Sequence, residues 1–523
     1  MTSPDIARLT EASKAKSKSQ EQANLATEIL LEKILEDQFE YSFSVSNEED
    51  PKTVDEALNG PDAEKWKEAM ETEMETIKKM GTWKLEELPK ERETIGNKWV
   101  FLRKRDEKGN IIRYKARLVA QGFSQKPGTD YSNDGTFAPV MRFETLRTLL
   151  ALAAVKNWNI RQFDIKGAYL HGTLHEVIYM RQPEAFDDNS GKVCRLIRPL
   201  YGLKQSGNVW NEEFTTTMVT LGFTQLKTDY CCFIRQGNNS FTIIIVWVDD
   251  ILAFSNSDIG NDQIEAELKS KFEVNSIGNP SMILGIKLSQ ENHLISLSQS
   301  HFINSLLNKF GLENVNPVTT PLNPSINLDD EELSIEGKED SRGTQSYATL
   351  IGSLMYLALG SRPDISHAVN RLAQFTQNPK PKHWTAVKRV FKYLKGTRNF
   401  KLTYGGQEDL LNQDINIYCD ADWAGESDRK SISGYVVIIA GGAVAWSSKK
   451  QLSVALSTAE AEYISATHAA KQVLWHRSLF RELEINSPST STIFSDNQAA
   501  IAIAHHPEFH ARTKHIDISY HFL

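Results

Sequence analysis

The stretch FTIIIVWVDDILAFS, residues 241–255, decides the fold of this chain. Apolar and β-branched side chains flank the dipeptide Asp249-Asp250, which predicts two strands joined by a tight turn. Two adjacent anions at a turn repel each other, so a fold retains them more readily where cations bind. Aspartate is also common in turns for conformational reasons alone, so the pair by itself leaves both interpretations open.

A third carboxylate lies upstream, in RQFDIKGAYLHG, residues 161–172. Asp164 is near the end of a predicted strand over Asn159–Ile165, and Tyr169 follows it. Three carboxylates on neighbouring strand ends can hold two Mg²⁺ ions about 3.5–4 Å apart, with Mn²⁺ as the alternative ion. Mg²⁺ prefers a few carboxylates completed by substrate phosphates. The pattern therefore predicts a site for phosphoryl transfer.

A second set of acids lies near the end of the chain. Asp420 ends an apolar run, Glu460 and Glu462 fall on a predicted amphipathic helix over 457–483, and Asp496 follows another apolar run. The two glutamates are about 200° apart around the helix, so they cannot serve one site equally, and Glu462 is favoured. Acids near strand ends are usually solvated, which explains one of these residues better than three in this order. The set predicts a hydrolytic two-metal site.

The composition excludes several classes of protein. The chain has 523 residues, 40% hydrophobic and 24% charged, which is typical of about three globular domains. No apolar run is long enough to span a membrane, and the polar N-terminus lacks the apolar core of a secretory signal. The four cysteines form no CxxC pair, which favours reduced thiols and an intracellular protein.

The charge is distributed unevenly. The net charge is −8, but residues 1–60 hold 13 acidic and 6 basic side chains, a net of −7. Residues 97–126 hold 9 Lys or Arg against 2 acids, and residues 378–401 hold 8 and no acid. Such stripes form phosphate-binding surfaces, although each could also be a solvated face.

The apolar spacing predicts the order of the main elements. After an acidic leader with one helix near Asn24–Gln38, a helix runs from Pro61, at its first position, to Met80. A basic, strand-rich stretch with a turn at Gly109-Asn110 follows, and residues 314–344 have the composition of a linker. Further helices are predicted over 144–156, 345–357, 365–376 and 383–395.

Several stretches together resemble the Ty1/copia-type retrotransposon Pol polyprotein, in its reverse transcriptase and RNase H region. They are KWVFLRKRDEKGNIIRYKARLVAQGFSQKPGTDY (98–131), TFAPVMRFETLRTLLALAA (136–154), RQFDIKGAYLHGTLHEVIYMRQPEAF (161–186), LYGLKQSGNVW (200–210) and WVDD (247–250). The likeness runs from about Val54 to the last residue. It implies an RNA-directed and DNA-directed DNA polymerase with RNase H activity on RNA/DNA hybrids.

The resemblance implies an α+β fold: a right-hand polymerase with fingers, palm and thumb, a connecting helical region and an RNase H-like α/β domain. The implied boundaries are 1–53 for an acidic, disordered leader, 54–313 for the reverse transcriptase, 314–414 for the linker and connection, and 415–523 for the RNase H-like domain. Family members continue beyond this point, so the last domain is expected to be truncated at its C-terminus.

The resemblance also implies roles in the polymerase. Asp164, Asp249 and Asp250 are the metal-binding carboxylates, and Tyr169 stands where a ring blocks a ribose 2′-hydroxyl. The residues implied to line the nucleotide site are Lys115 and Arg117, which hold the triphosphate, and Gly202 and Lys204, in a loop beside nucleotide and template. MILGIKL, residues 282–288, resembles the primer-positioning hairpin. The implied partners are an RNA template, a DNA primer or duplex and dNTPs.

In the RNase H-like region the resemblance implies Asp420, Glu462 and Asp496 as metal ligands for two further Mg²⁺ ions. His515 is implied to assist proton transfer, and Asp517 is a substitute candidate for a fourth ligand expected beyond the end of this sequence. The stretch 347–397 matches the connecting region, whose basic stripe would follow a template–primer duplex without reading its sequence.

Two positions depart from the family pattern and keep other hypotheses open. Trp247 replaces the usual Tyr before Val-Asp-Asp, and Gly207-Asn208 replace the usual Pro-Arg. With the expected truncation, they favour an alternative in which the chain is a catalytically inactive remnant that at most binds nucleic acid. A stand-alone cellular ribonuclease H is a third alternative, which the polymerase motifs disfavour.

Overall fold

The computed structural model describes residues 50–105, 110–132, 135–237, 240–329, 343–406, 415–425, 428–485 and 491–505. The predicted helix near Asn24–Gln38 and the candidates His515 and Asp517 lie outside these residues. The mixture of helices and sheets is α+β, as predicted. No helix within the described ranges is both long and apolar enough to cross a bilayer.

The described α-helices are α1 Val54–Asn59, α2 Ala63–Lys79, α3 Phe143–Lys156, α4 Ser206–Thr220, α5 Asp258–Lys271, α6 Ser300–Lys309, α7 Gly343–Gly360, α8 Ser366–Ala373, α9 Pro381–Gly396, α10 Thr458–Glu482 and α11 Gln498–His505.

A six-stranded antiparallel sheet, here the central sheet, carries the first candidate site. Its strands in spatial order are β12 Val274–Gly278, β5 Asn159–Ile165, β11 Asp250–Ser255, β10 Ser240–Trp247, β9 Cys232–Gly237 and β8 Thr224–Gln225. The β10–β11 hairpin is almost entirely buried, because helices and neighbouring sheets cover both of its faces. This environment explains why its strands are continuous apolar runs rather than alternating ones.

An N-terminal layer stands beside the central sheet. It contains the two-stranded hairpin β3 Asn97–Arg105 and β4 Ile111–Ala120, against which α2 packs through Trp66 and its helical neighbours. It also contains a small sheet in the order β1 Trp83–Glu86, β7 Val193–Leu196, β6 Ile178–Met180 and β2 Thr94–Ile95.

The prediction that Pro61 occupies the first position of the helix that extends to Met80 is wrong by two residues. The helix, α2, begins at Ala63 with Asp62 at its N-cap. The Asp62 carboxylate binds Lys65 at 3.0 Å and Arg103 at 3.1 Å. An ion pair with Arg103 of the neighbouring hairpin therefore lies at the start of this helix, a contact that local propensity does not reveal.

A helical unit follows the central sheet. Helices α7, α8 and α9 pack together around Tyr347, Trp384 and their apolar neighbours. A third sheet contains β13 Met282–Ile283, β14 Ile286–Glu291, β15 Leu294–Ser298 and β16 Leu402–Gly405, so a strand that follows α9 completes a sheet begun more than a hundred residues earlier. The predicted linker, residues 314–344, contains no helix or strand over residues 314–329, and α7 begins at its last two residues.

The C-terminal unit carries the second candidate site. Its sheet has the order β19 Gly442–Lys450, β18 Ile432–Ile439, β17 Ile415–Asp422 and β20 Ser491–Phe494, and β17 pairs with β20 in parallel. Helix α10 packs along β17 and β18. Much of the apolar face of α10 belongs to the same buried cluster as the central sheet, so the two units share one core; the residues concerned are Ala466, Ala469, Val473, Leu479 and Phe480.

Arg147 joins three parts of this structure. The residue is on α3 and is only 1% exposed. Its Nε donates to the Val444 carbonyl on β19 at 2.7 Å, and its Nη1 donates to the Leu359 carbonyl at the end of α7 at 2.5 Å. The guanidinium carbon lies 3.8 Å from the Trp446 ring centroid, and the indole of Trp446 donates to the Ala358 carbonyl. One buried cation therefore connects the central sheet, the helical unit and the C-terminal unit.

Candidate functional site

The first candidate site is built on two neighbouring strands of the central sheet. In the β10–β11 hairpin Trp247 is the cross-strand partner of Asp250, so Val248 and Asp249 form the two-residue turn. Asp250 is in turn the cross-strand partner of Asp164 on β5. The fold thus brings together the three carboxylates that the sequence predicted to meet.

The turn has an unusual backbone. Val248 has a φ of 54°, in the left-handed region that a β-branched residue rarely adopts. A positive φ at the first central position matches the twist of a tight hairpin, but glycine usually occupies it. Such a conformation costs on the order of 1–3 kcal/mol and persists only when the surroundings impose it. The strain falls directly beside Asp249.

Each carboxylate of this set already has a partner in the protein. Asn275 Nδ2 donates to Asp164 at 3.2 Å, Gln162 Nε2 donates to Asp250 at 3.4 Å, and a guanidinium nitrogen of Arg117 lies 3.7 Å from Asp249. These contacts offset part of the repulsion among three anions.

Burial and mutual repulsion raise the pKa of two of these acids. Burial, reinforced by Asp249 and Asp164, raises the pKa of Asp250 to about 7. Burial also raises the pKa of Asp249, while Arg117 opposes that rise. A divalent cation would relieve the same repulsion, so the donor set suits one.

A cleft of about 600 Å³ opens beside these carboxylates, between α2, β4 and the edge of the central sheet. Lys115 and Arg117 line it together with Asp164 and Asp249. Burial, followed by repulsion from Arg117, lowers the pKa of Lys115 to about 8. The two candidate triphosphate ligands therefore lie in one cavity with two of the candidate metal ligands.

Ion pairs at the rim of the cleft join its two sides. Glu273 binds Lys79 of α2 at 2.8 Å and Lys166 at 2.5 Å, and so links the N-terminal layer to the central sheet. Inside the cleft, Glu73 of α2 is near both basic residues, and burial raises its pKa while Arg117 and Lys115 lower it.

Aromatic rings connect the other candidates to this cleft. The Tyr169 ring lies 4.7 Å from the Tyr201 ring, edge to face, and the Arg117 guanidinium carbon lies 4.6 Å from the Tyr201 centroid. Gly202 has a φ of 90°, and a Cβ there would lie 2.2 Å from the Ala120 carbonyl oxygen. Only glycine permits this contact between the loop and β4.

Lys204 occupies a different position from Lys115 and Arg117. Its Nζ lies 3.0 Å from the Tyr131 hydroxyl, and its backbone N–H donates to Gln125 Oε1. The side chain is therefore held beside Tyr131, and it is not among the residues that line the 600 Å³ cleft.

The second candidate site is in the C-terminal unit. One carboxylate oxygen from each of Asp420, Glu462 and Asp496 lies within 4.8 Å of the others. Of all residues that the structure describes, this is the only such group of three or more acidic, His or Cys side chains; the Asp164 set does not converge as closely. Asp420 and Asp496 are exposed, whereas Glu462 is buried.

Glu462 is the buried acid of this site. One of its carboxylate oxygens accepts a hydrogen bond from the Ala421 N–H at 3.2 Å, and the other is buried without a hydrogen-bond partner. Burial raises its pKa to about 7, with Asp420 and Asp496 adding to the rise. A buried unpaired carboxylate oxygen beside two more acids is chemically suited to a cation.

Glu460 has a different role. Its carboxylate accepts a hydrogen bond from the Leu456 N–H at 2.8 Å, while its own N–H donates to the Ser457 hydroxyl at 3.2 Å. These bonds satisfy N–H groups at the start of α10, as a capping residue does. The structure therefore places Glu462 in the candidate metal site and Glu460 at the start of the helix.

Sequence reasoning did not identify Gln162, Asn275, Tyr201 or Glu73. A signal existed for Gln162, because it precedes Asp164 by two residues on one strand and so shares its face. Asn275 is on β12, and only the pairing of β12 with β5 brings it opposite Asp164. Such long-range pairing leaves no local pattern.

Comparisons with known proteins agree with this arrangement. A family model described as reverse transcriptase (RNA-dependent DNA polymerase) matches residues 80–324. The chain is 38% identical over 486 residues to the retrovirus-related Pol polyprotein from transposon TNT 1-94 of Nicotiana tabacum, covering 92% of this chain and 36% of that protein. It is also 38% identical over 489 residues to the Pol polyprotein from transposon RE1 of Arabidopsis thaliana, covering 92% and 32%.

A shorter relative is matched throughout. The transposon Ty5-1 protein of Saccharomyces cerevisiae is 30% identical over 315 residues, which are 59% of this chain and 100% of that protein. Residues 80–324 are therefore similar to the reverse transcriptase family. The chain belongs to the Pol polyproteins of Ty1/copia-type retrotransposons, which confirms the resemblance seen in its sequence. It spans about a third of the length of the two plant relatives.

Proposed function

We propose that this chain is an RNA-directed and DNA-directed DNA polymerase with a second site that cleaves the RNA of RNA/DNA hybrids. The observation that carries the proposal is the pairing of Asp164 on β5 with Asp250 on β11, with Asp249 in the turn that directly precedes Asp250. Asp164 and Asp249 line a cleft that also holds Lys115 and Arg117.

The proposed layout is that of a right hand. The central sheet corresponds to the palm, and the N-terminal layer with its β3–β4 hairpin corresponds to the fingers. The thumb follows within residues 54–313, the linker and connection occupy 314–414, and the RNase H-like domain occupies 415–523. The mixed sheet of the last unit, with its parallel β17–β20 pair and packed helix, supports that assignment.

In the polymerase site, Asp164, Asp249 and Asp250 would hold Mg²⁺, or alternatively Mn²⁺. Bound ions supply activation of the primer 3′-hydroxyl and stabilisation of the pyrophosphate leaving group. Lys115 and Arg117 bind the triphosphate of the incoming dNTP through charge-assisted hydrogen bonds.

The remaining polymerase residues orient the substrates. Tyr169 presents the ring that excludes a 2′-hydroxyl, and its contact with Tyr201 supports it from behind. Gly202 allows the loop that carries Lys204 to approach β4 closely, so that this loop can border nucleotide and template.

In the C-terminal site, Asp420, Glu462 and Asp496 would hold the ions that supply an activated water for phosphodiester hydrolysis. The buried, unpaired oxygen of Glu462 supports the fit of a cation to this donor set. His515 and Asp517 remain candidates for proton transfer and for an additional ligand.

The basic stripe of residues 378–401 has a mixed role. Arg389 Nη2 donates to the Thr320 hydroxyl at 2.8 Å, and Lys395 Nζ donates to the Val315 carbonyl at 2.8 Å. Part of the stripe therefore anchors the preceding segment. We assign the exposed Arg398 and Lys401 to the phosphates of a template–primer duplex.

A primer-extension assay on an RNA template tests this function. The full chain should extend a DNA primer with Mg²⁺, and chelation of the metal or the change Asp249→Asn should abolish extension, because the change removes a charged ligand. Cleavage of a separate RNA/DNA hybrid by the Asp249→Asn protein should persist, which shows that the protein is folded. Extension that survives in Asp249→Asn would refute the assignment.

The alternative of an inactive remnant predicts a different pattern. Trp247 and Gly207 depart from the family sequence close to the first site, and both line a small pocket behind the Val248 turn. If neither extension nor cleavage is detected in a folded protein that binds hybrid, the remnant hypothesis is the correct one.

A further inference from the structure

The turn that carries Asp249 is hydrogen-bonded to the protein through both of its carbonyl groups. The Asp249 carbonyl accepts from the backbone N–H of Ile165 on β5 at 2.9 Å. The Val248 carbonyl accepts from Trp210 Nε1 on α4 at 2.8 Å. The second bond is made by a side chain, at the residue whose backbone is left-handed.

Trp210 is held rigidly in place. Its side chain is 3% exposed, and its ring lies 5.5 Å from both the Phe214 and the Phe272 rings. His171, in the short 3₁₀ turn that also carries Tyr169, contacts it from another side, with ring centroids 6.1 Å apart. A buried indole has a single N–H donor, so its direction is fixed by this packing.

The side chains around the turn do not fill all the space next to it. A pocket of about 40 Å³ lies behind it, and among the residues that line it are Trp210, Trp247, Val248 and Tyr169. The turn therefore has space into which it could relax. Loss of the Trp210 hydrogen bond would leave the Val248 carbonyl without this partner and remove a restraint on its left-handed conformation.

We propose that Trp210 is a positioning residue of the polymerase site: its indole N–H fixes the backbone at Val248 and thereby directs the Asp249 carboxylate. The inference rests on the proposed polymerase function. It extends the site to a residue on α4 that touches neither metal nor substrate and acts only through the turn. The competing explanation is that the bond merely satisfies a buried indole.

The change Trp210→Phe tests the proposal, because it retains a ring and deletes the N–H. Trp158→Phe is the matched control: Trp158 is also buried in this core, but it packs on Phe241 at the opposite end of β10. We expect kcat for dNTP incorporation to fall about tenfold to a hundredfold in Trp210→Phe and to change little in Trp158→Phe. We also expect the Mg²⁺ concentration for half-maximal extension to rise only in Trp210→Phe.

Three readouts separate positioning from general damage. RNA cleavage by the same preparation should remain at the wild-type level, and so should the KM for template–primer. If Trp210→Phe does not fold, site-specific replacement of Trp210 by 3-benzothienylalanine preserves the bicyclic shape and still removes the N–H. The amide resonance of Asp249 should shift in the Trp210 variants and not in Trp158→Phe, whether or not the protein is active.

The outcomes are distinguishable. A wild-type chain that extends no primer contradicts the proposed function, and the Asp249 resonance then still tests the restraint on the turn. A wild-type chain that extends primers, with equal extension in the Trp210 and Trp158 variants, overturns the assignment of Trp210. An equal loss in both variants also overturns it, because the effect would then belong to the core.

Discussion

The two carboxylate sites solve the same electrostatic problem in opposite ways. In the central sheet, Asp164, Asp249 and Asp250 are each paired with a protein donor, through Asn275, Arg117 and Gln162 respectively. In the C-terminal unit, the carboxylate oxygens converge within 4.8 Å of one another, and one oxygen of the buried acid has no partner.

This difference implies different requirements for metal. Protein donors offset part of the repulsion in the central sheet, so we expect an ion to gain less by binding there alone and to depend on substrate phosphates to complete its shell. The C-terminal set retains its repulsion, so an ion gains more by binding without substrate. We therefore expect the first site to depend on a bound nucleotide for its metal, and the second to bind a cation by itself.

Among the tests of this comparison, the change Glu462→Gln has the largest expected effect. It removes a charged ligand, worth several kcal/mol at a metal site, so RNA cleavage should fall by about a thousandfold or more. Primer extension should be unchanged. Glu460→Gln is the matched control on the same helix: it should retain cleavage and lose at most about 1 kcal/mol of stability as a weaker cap. Equal loss of cleavage in both variants would contradict the division of roles.

A smaller effect is expected from Arg117→Lys in the first site. Lysine keeps the charge but loses the planar guanidinium, which stacks on Tyr201 and reaches Asp249. We expect the KM for dNTP to rise about tenfold to a hundredfold, equivalent to about 1.5–3 kcal/mol for a charged hydrogen bond. Steady-state extension kinetics measure this change. An unaltered KM for dNTP would remove Arg117 from the triphosphate site.

The smallest expected effect is the stabilisation by Mg²⁺ without any nucleic acid. An ion that binds only the folded state adds about 1.4 kcal/mol at ten times its Kd, which thermal unfolding detects. The shift should persist in Asp249→Asn and disappear in Glu462→Gln, because the free ion binds the C-terminal site. The reverse pattern would show that the central site binds the ion more tightly.

Much of this architecture was predictable from local patterns. The strand over residues 159–165, the helix ending at Lys156 and the hairpin around Asp249-Asp250 were all predicted, because long apolar runs and a polar turn leave few alternatives. The resemblance to copia-type polyproteins was likewise confirmed. These features depend on residues that are close together in the sequence.

The remainder depends on contacts between distant residues. The N-cap residue of α2 pairs with Arg103 from another element, and β16 joins a sheet whose other strands end at residue 298. Asn275 reaches Asp164 only through strand pairing. No periodicity in the sequence encodes which distant strand or cation meets a given residue, so these features emerged only from the structure.

The three-way contact of Arg147 limits how this chain can be divided. A fragment that ends before β19 would lack both the Val444 carbonyl and the Trp446 ring, so the guanidinium would lose two of its partners. The apolar surface of the central sheet that now lies in the shared core would also be exposed to water. Production of the polymerase half alone would therefore require a redesigned surface at α3, whereas the undivided chain supplies its own cover.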